Sequence, residues 1–87
     1  MPTVAIVFGM AIQFFYADHD PPHFHVRGIN FKAKIALADL SVIESVGSAL
    51  AQDLRRIRAW GERHRAELWD NWNRARRMAP VAKIEGE

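Results

Sequence analysis

Phe31-Lys32-Ala33-Lys34-Ile35-Ala36-Leu37 decides the fold: Phe31, Ala33, Ile35 and Leu37 alternate with Lys32, Lys34 and Ala36. Successive side chains of a strand point to opposite faces, so the apolar set turns inward and the lysines face water. This is a half-buried strand. Upstream, Gly28-Ile29-Asn30 is a turn and His23 to Arg27 its partner strand, which makes a hairpin. Further back, Thr3 to Phe8 and Ala11 to Tyr16 flank Gly9 and Met10 and predict another hairpin. The sum is an antiparallel meander of about four strands. Asp39 to Gly47, with Val42, Ile43 and Val46, reads equally as a short strand or a helical turn.

Downstream the period changes. Leu50, Leu54, Ile57, Gly61, His64, Leu68, Trp72 and Ala75 recur at three- and four-residue steps and form one apolar stripe. Ser48 is the expected N-cap, and Pro80 ends the helix at or just before Ala79. A single helix of about 30 residues would run some 45 Å, too long for this domain. Gly61 is the expected bend or break, because glycine costs about 1 kcal/mol relative to alanine in a helix. The prediction is an α+β fold: a small meander packed on a long C-terminal helix, kinked or broken near Gly61. One domain spans residues 1–87, with 1–46 mainly β, 48–79 helical and 80–87 a tail ordered through Val81 and Ile84.

Composition narrows the chemistry. The 87 residues include no cysteine, which excludes disulfides, thiolate nucleophiles and cysteine-type zinc sites. No apolar run approaches the roughly 18 residues of a membrane span. The N-terminal stretch lacks a basic leader and a small-residue cleavage pattern, so no membrane partner and a cytoplasmic location are expected. Glycine-rich phosphate loops and the Gly-x-Ser-x-Gly elbow are absent.

Between the two hairpins lies His19-Asp20-Pro21-Pro22-His23-Phe24-His25, preceded by Asp18. The two prolines fix their own φ and push Asp20 and Pro21 toward extended geometry, which makes the segment stiff. His23 and His25 are two apart and share one strand face. His19, His23 and His25 are candidate ligands for a divalent metal such as zinc, with Asp18 or Asp20 as a further ligand or as an acceptor behind one. The same histidines, with Asp20 orienting a ring, are candidates for general acid–base catalysis. Against both stands a plain structural role, in which the imidazoles hydrogen-bond to carbonyls or stack on Phe24 and Tyr16. His64 falls inside the helical stripe and reads as a hydrogen-bonded core residue.

The helix carries Arg55, Arg56, Arg58, Arg63, Arg65, Arg74, Arg76 and Arg77, half offset by Asp53, Glu62, Glu67 and Asp70. Such a surface is either solvated, with ion pairs of little individual worth, or a patch for nucleic acid or an acidic protein. Arg55, Arg58, Arg65, Trp69 and Arg76 are the candidate partner-facing residues, because exposed aromatics and arginines favour interfaces. Trp60 and Trp72 fit the stripe as core anchors; a bend or the tail could equally cover Trp69.

Taken together, several motifs resemble a bacterial family catalogued as domain of unknown function 4160. They are Met1-Pro2-Thr3, Phe15-Tyr16, Asp18-His19-x-Pro21-Pro22-His23-Phe24-His25, Lys32-Ala33-Lys34, Trp60, His64-Arg65-x-Glu67-Leu68, Asn71-Trp72 and Lys83-Ile84-Glu85. The chain departs from that family at Ala38-Asp39-Leu40, where a polar turn is usual, and near Ser48, where a proline opens the helix. The resemblance implies a small α+β protein, often encoded beside another small protein in toxin–antitoxin-like arrangements. It brings no catalytic residue. The leading expectation is an interaction module that holds a small co-encoded protein through its arginine-bearing helix or an exposed strand edge. The alternatives are a metal-dependent hydrolase or nuclease-like toxin built on the histidines, and RNA binding through the arginines. A homo-oligomer is compatible with each.

Overall fold

The computed structural model describes residues 2–87. Five antiparallel strands form one sheet: β1 Thr3–Val7, β2 Met10–Gln13, β3 His23–Arg27, β4 Phe31–Ala36 and β5 Val42–Gly47. Their spatial order is their chain order, a plain meander. The expected four strands become five because Asp39 to Gly47 resolves as a strand, not a helical turn. Leu40, at φ 59°, reverses the chain, and its N–H donates to Ala36 O at 2.9 Å. The Ser41 N–H bonds to the Asp39 carboxylate at 3.0 Å, an Asx turn that returns the chain along β4.

The first hairpin is tighter than predicted. Met10 pairs with Val7 inside the ladder, so Phe8 and Gly9 alone make the turn. Both have positive φ, the requirement of a type I′ turn. Gly47, at φ 96°, closes the far end of β5, where a Cβ would overlap Asn30 O. Ser48 does not cap the helix. Its N–H donates to Asn30 O, the helix begins after Leu50, and Leu50 offers no side-chain cap.

The helical half divides into α1 Ala51–Arg63 and α2 Arg65–Arg76. Run together, residues 51–76 would stretch about 39 Å, and the longest dimension of the protein is 33 Å. The chain therefore has to turn. It does so at His64 (φ −125°), three residues beyond the predicted Gly61. Gly61 stays helical and buried, and a Cβ there would come 3.2 Å from both terminal methyls of Leu40. Its function is close packing rather than bending.

The helices cover one sheet face. Ile12, Phe14, Phe24, Val26, Ala33 and Ile35 meet Ile57, Trp60, Leu68, Trp72 and Ala75 in a single core. Trp60 and Trp72 anchor it as expected. Trp69 is partly buried against this core, so it is not an exposed aromatic. The tail is more ordered than its two apolar residues suggested. It runs beside β1, with Ile84 N–H bonded to Val4 O, Glu87 N–H to Ile6 O and Phe8 N–H to Glu87 O. Asn71 clasps Ala82 through both its amide groups, and Trp60 Nε1–H donates to Glu85 O at 2.8 Å. No described helix is long and apolar enough to cross a membrane.

Candidate functional site

The connection from β2 to β3, residues 14–22, is held from both sides. The Ala17 N–H donates to Ala75 O of α2 at 3.2 Å, and Pro22 O accepts from Leu37 N–H at 3.0 Å. Ala17 turns at φ 55°, and the Asp20–Pro21 peptide bond is cis. This path carries Asp18 back over the start of β3. Strand periodicity puts His23 and His25 on the same side, with ring centroids 4.8 Å apart.

Asp18, His23 and His25 thus converge, each offering a ligand atom within 4.8 Å of the others. His25 Nε2–H donates to Asp18 Oδ2 at 2.8 Å. His23 Nε2 lies 3.0 Å from the same oxygen, but without hydrogen-bond geometry, and it is a buried polar atom with no partner. Its other nitrogen, Nδ1, donates to Pro21 O at 2.6 Å. Asp18 Oδ1 accepts the backbone N–H of His19 at 2.8 Å. Aromatic walls hold the rings in place: Phe15 stacks on His25 at 3.9 Å, and Trp72 lies 5.4 Å from His23.

The protonation states follow from burial and bonding. Burial alone would raise the Asp18 carboxyl, but hydrogen bonds from His25 and from the His19 N–H, with the two imidazoles nearby, outweigh it and hold it below the ordinary carboxylate value. For His25, burial dominates and lowers its pKa despite the bond to Asp18. The two directions agree on one state near neutral pH: a carboxylate accepting a proton bond from a neutral imidazole.

Of the sequence candidates, the structure brings His23 and His25 together and adds Asp18. His19 is exposed and takes part through its backbone alone. Asp20 is exposed and stands 3.6 Å from Arg76. His64 is at the helix junction, bonded through Nδ1 to Glu67 Oε1 at 2.6 Å. The proposed helical surface also divides. Arg65 is committed to Glu62 and to the carbonyls of Leu37 and Ala38, and Arg76 lies over the Trp72 ring. Arg55 and Arg58 are exposed and make no ion pair among the described residues. Sequence reading allowed for imidazole–carbonyl bonds and a buried Trp72 but did not tie Pro21 O or Trp72 to His23, because no local signal connects either to it.

A second feature is the unequal treatment of the sheet edges. The tail covers β1, whereas every residue of β5 is exposed, Val46 at 64%. Cross-strand register sets Val46 in one row with Lys32, Arg27, Ala11 and Ile6 on the face away from the helices. Lys34 pairs with Glu44 at 3.3 Å, but Arg27 and Lys32 have no ion-pair partner among the described residues.

Fold and site together define a small α+β protein: a helix-backed meander with one open edge and an aspartate–histidine cluster at the entry to its central strand. Residues 9–73 match the family described as Domain of unknown function (DUF4160), and the chain belongs to that family. No match was found among curated proteins or among solved structures.

Proposed function

We propose that this chain is a protein-interaction module that receives an extended segment of a small partner protein along β5. The observation that carries this is the contrast between the edges: β1 is closed by the chain's own tail, and β5 is open on both faces. An open edge strand presents unpaired N–H and C=O groups, a template for an added strand. Val42, Ile43 and Val46 supply apolar contacts there. The unpaired Arg27 and Lys32 in the Val46 row favour a partner strand that alternates apolar with acidic residues. We take that partner to be co-encoded, in a toxin–antitoxin-like pair, as the motif resemblance implies.

The test is co-expression with the protein of the neighbouring gene, followed by size-exclusion chromatography and affinity measurement. A complex is expected, and Val46→Glu, which sets a negative charge against the acidic positions of the partner strand, should weaken it at least about tenfold, or about 1.4 kcal/mol. Val46 is exposed, so the variant should keep its far-UV circular dichroism. No complex, or full affinity in Val46→Glu with loss in Arg55→Ala/Arg58→Ala, would move the interface off β5. The hydrolase or nuclease reading is supported only by the Asp18, His23 and His25 grouping, which offers metal ligands but no nucleophile of its own.

A further inference from the structure

His23 poses a problem in simple valence. A carbonyl oxygen can only accept, so the 2.6 Å contact with Pro21 O puts the proton of the neutral ring on Nδ1. Nε2 is then a lone pair. It is buried, with His23 only 4% exposed, it lacks a hydrogen-bond partner, and it faces Asp18 Oδ2 at 3.0 Å. Two acceptors held at that distance call for a cation between them. His25 Nε2 approaches the same oxygen from another side at 2.8 Å.

We propose that Asp18 Oδ2, His23 Nε2 and His25 Nε2 are three ligands of one divalent cation of the zinc class. Two imidazoles and a carboxylate form a donor set suited to zinc, with a fourth position left for water or another ligand. Zinc bonds of about 2.0–2.2 Å arranged tetrahedrally set ligand atoms roughly 3.3 Å apart. The two separations from Asp18 need to open by a few tenths of an ångström, and the two imidazole ligand atoms lie within 4.8 Å of each other. The ion takes the place of the proton on His25 Nε2, and that proton passes to Nδ1 as the neutral ring changes tautomer.

The surroundings match what metal-binding histidines need. A ligating imidazole gives its other N–H to a carbonyl or carboxylate, which fixes tautomer and ring angle. Pro21 O does this for His23, and the His19 N–H steadies the other oxygen of Asp18. The Asp18 and His25 side chains keep 13% and 14% of their surface exposed, which leaves the ion a way in. Lys32 and Lys34 share the open sheet face with His25, so an anionic fourth ligand would meet favourable charge.

The test uses chelator-stripped protein titrated with zinc chloride alone, followed by calorimetry and by elemental analysis after dialysis. One equivalent should bind, and the thermal midpoint should rise with zinc. His23→Ala leaves a hole beside Trp72 and can unfold the chain, so Asp18→Asn and His25→Ala carry the test. Each should lower affinity about 10–100-fold, the loss already caused by removing groups behind a ligand. His19→Ala and His64→Ala should bind zinc as the unaltered chain does. No bound equivalent with an unmoved midpoint would overturn the site in favour of a purely proton-linked cluster. Loss of binding in His19→Ala with retention in Asp18→Asn would assign the metal to the exposed turn instead.

Discussion

Asp18 faces two imidazoles with one oxygen and a backbone amide with the other, so one side chain links the loop, β3 and the stacked ring of Phe15. This has a consequence for pH in the metal-free protein. The folded state lowers the pKa of His25, so the unfolded chain takes up a proton there first, near its ordinary value of about 6.5. Stability is therefore full above that pH and falls as the solution is acidified, until the folded ring protonates as well. Asp18 acts with the same sign: its folded pKa is also lowered, so further stability is lost below about 3.9, as pH falls toward the folded value. Denaturant titrations at a series of pH values should show both slopes. His25→Gln should flatten the one beginning near 6.5, and Asp18→Asn the more acidic one. A wild-type curve that is level across the first window would contradict the lowered histidine.

The tail and the helix break show how elements are bounded by their neighbours. Three backbone bonds tie the tail to β1 and to Phe8 of the following turn, and a Cβ on Gly86 would overlap Ile6 O. Gly86→Ala should accordingly lift the tail, speed hydrogen exchange at the Phe8 amide and promote concentration-dependent association through the uncovered edge. Ile84→Ala, which removes a buried side chain, should cost about 2–4 kcal/mol in chemical denaturation. Gly61 tests the packing of the helix. Alanine there gains about 1 kcal/mol of helix propensity but presses on the buried Leu40, and overpacking costs about 1–3 kcal/mol. The expected net effect is neutral to destabilising. A gain of about 1 kcal/mol would mean that Leu40 yields freely.

Both helices and the tail reach one core, with Trp60 joined to Glu85 and Trp72 set against His23. Unfolding should therefore be a single transition, coincident by tryptophan fluorescence and far-UV circular dichroism. A small domain has only about 5–15 kcal/mol in hand. Leu68→Ala, at a fully buried position, should remove about 2–5 kcal/mol and lower the midpoint by many degrees. Separate transitions by the two probes would show that the helices and sheet do not share one core. The sheet's asymmetry also belongs to this level, since the tail lies along the β1 edge and no described segment lies along β5.

Much of this architecture is local and hence legible in the chain. Alternation at Phe31 to Leu37 predicts β4, Gly28-Ile29-Asn30 predicts its turn, and the three-and-four stripe predicts helices that bury Ile57, Trp60, Leu68 and Trp72. Period two alone places His23 beside His25. The third member of their cluster was not legible between Asp18, His19 and Asp20, because the loop's course depends on Ala17 bonding to Ala75, far along the chain. Likewise the break at His64 follows from the length of the body a helix must cover, not from a breaker residue. Ser48 turns toward Asn30, and the tail becomes ordered because β1 offers it carbonyls. Side-chain periodicity and turn chemistry act over a few residues and are written in the sequence. Which aspartate meets the histidines, and which strand edge stays open, are settled by contacts between distant segments that form only when the chain has folded.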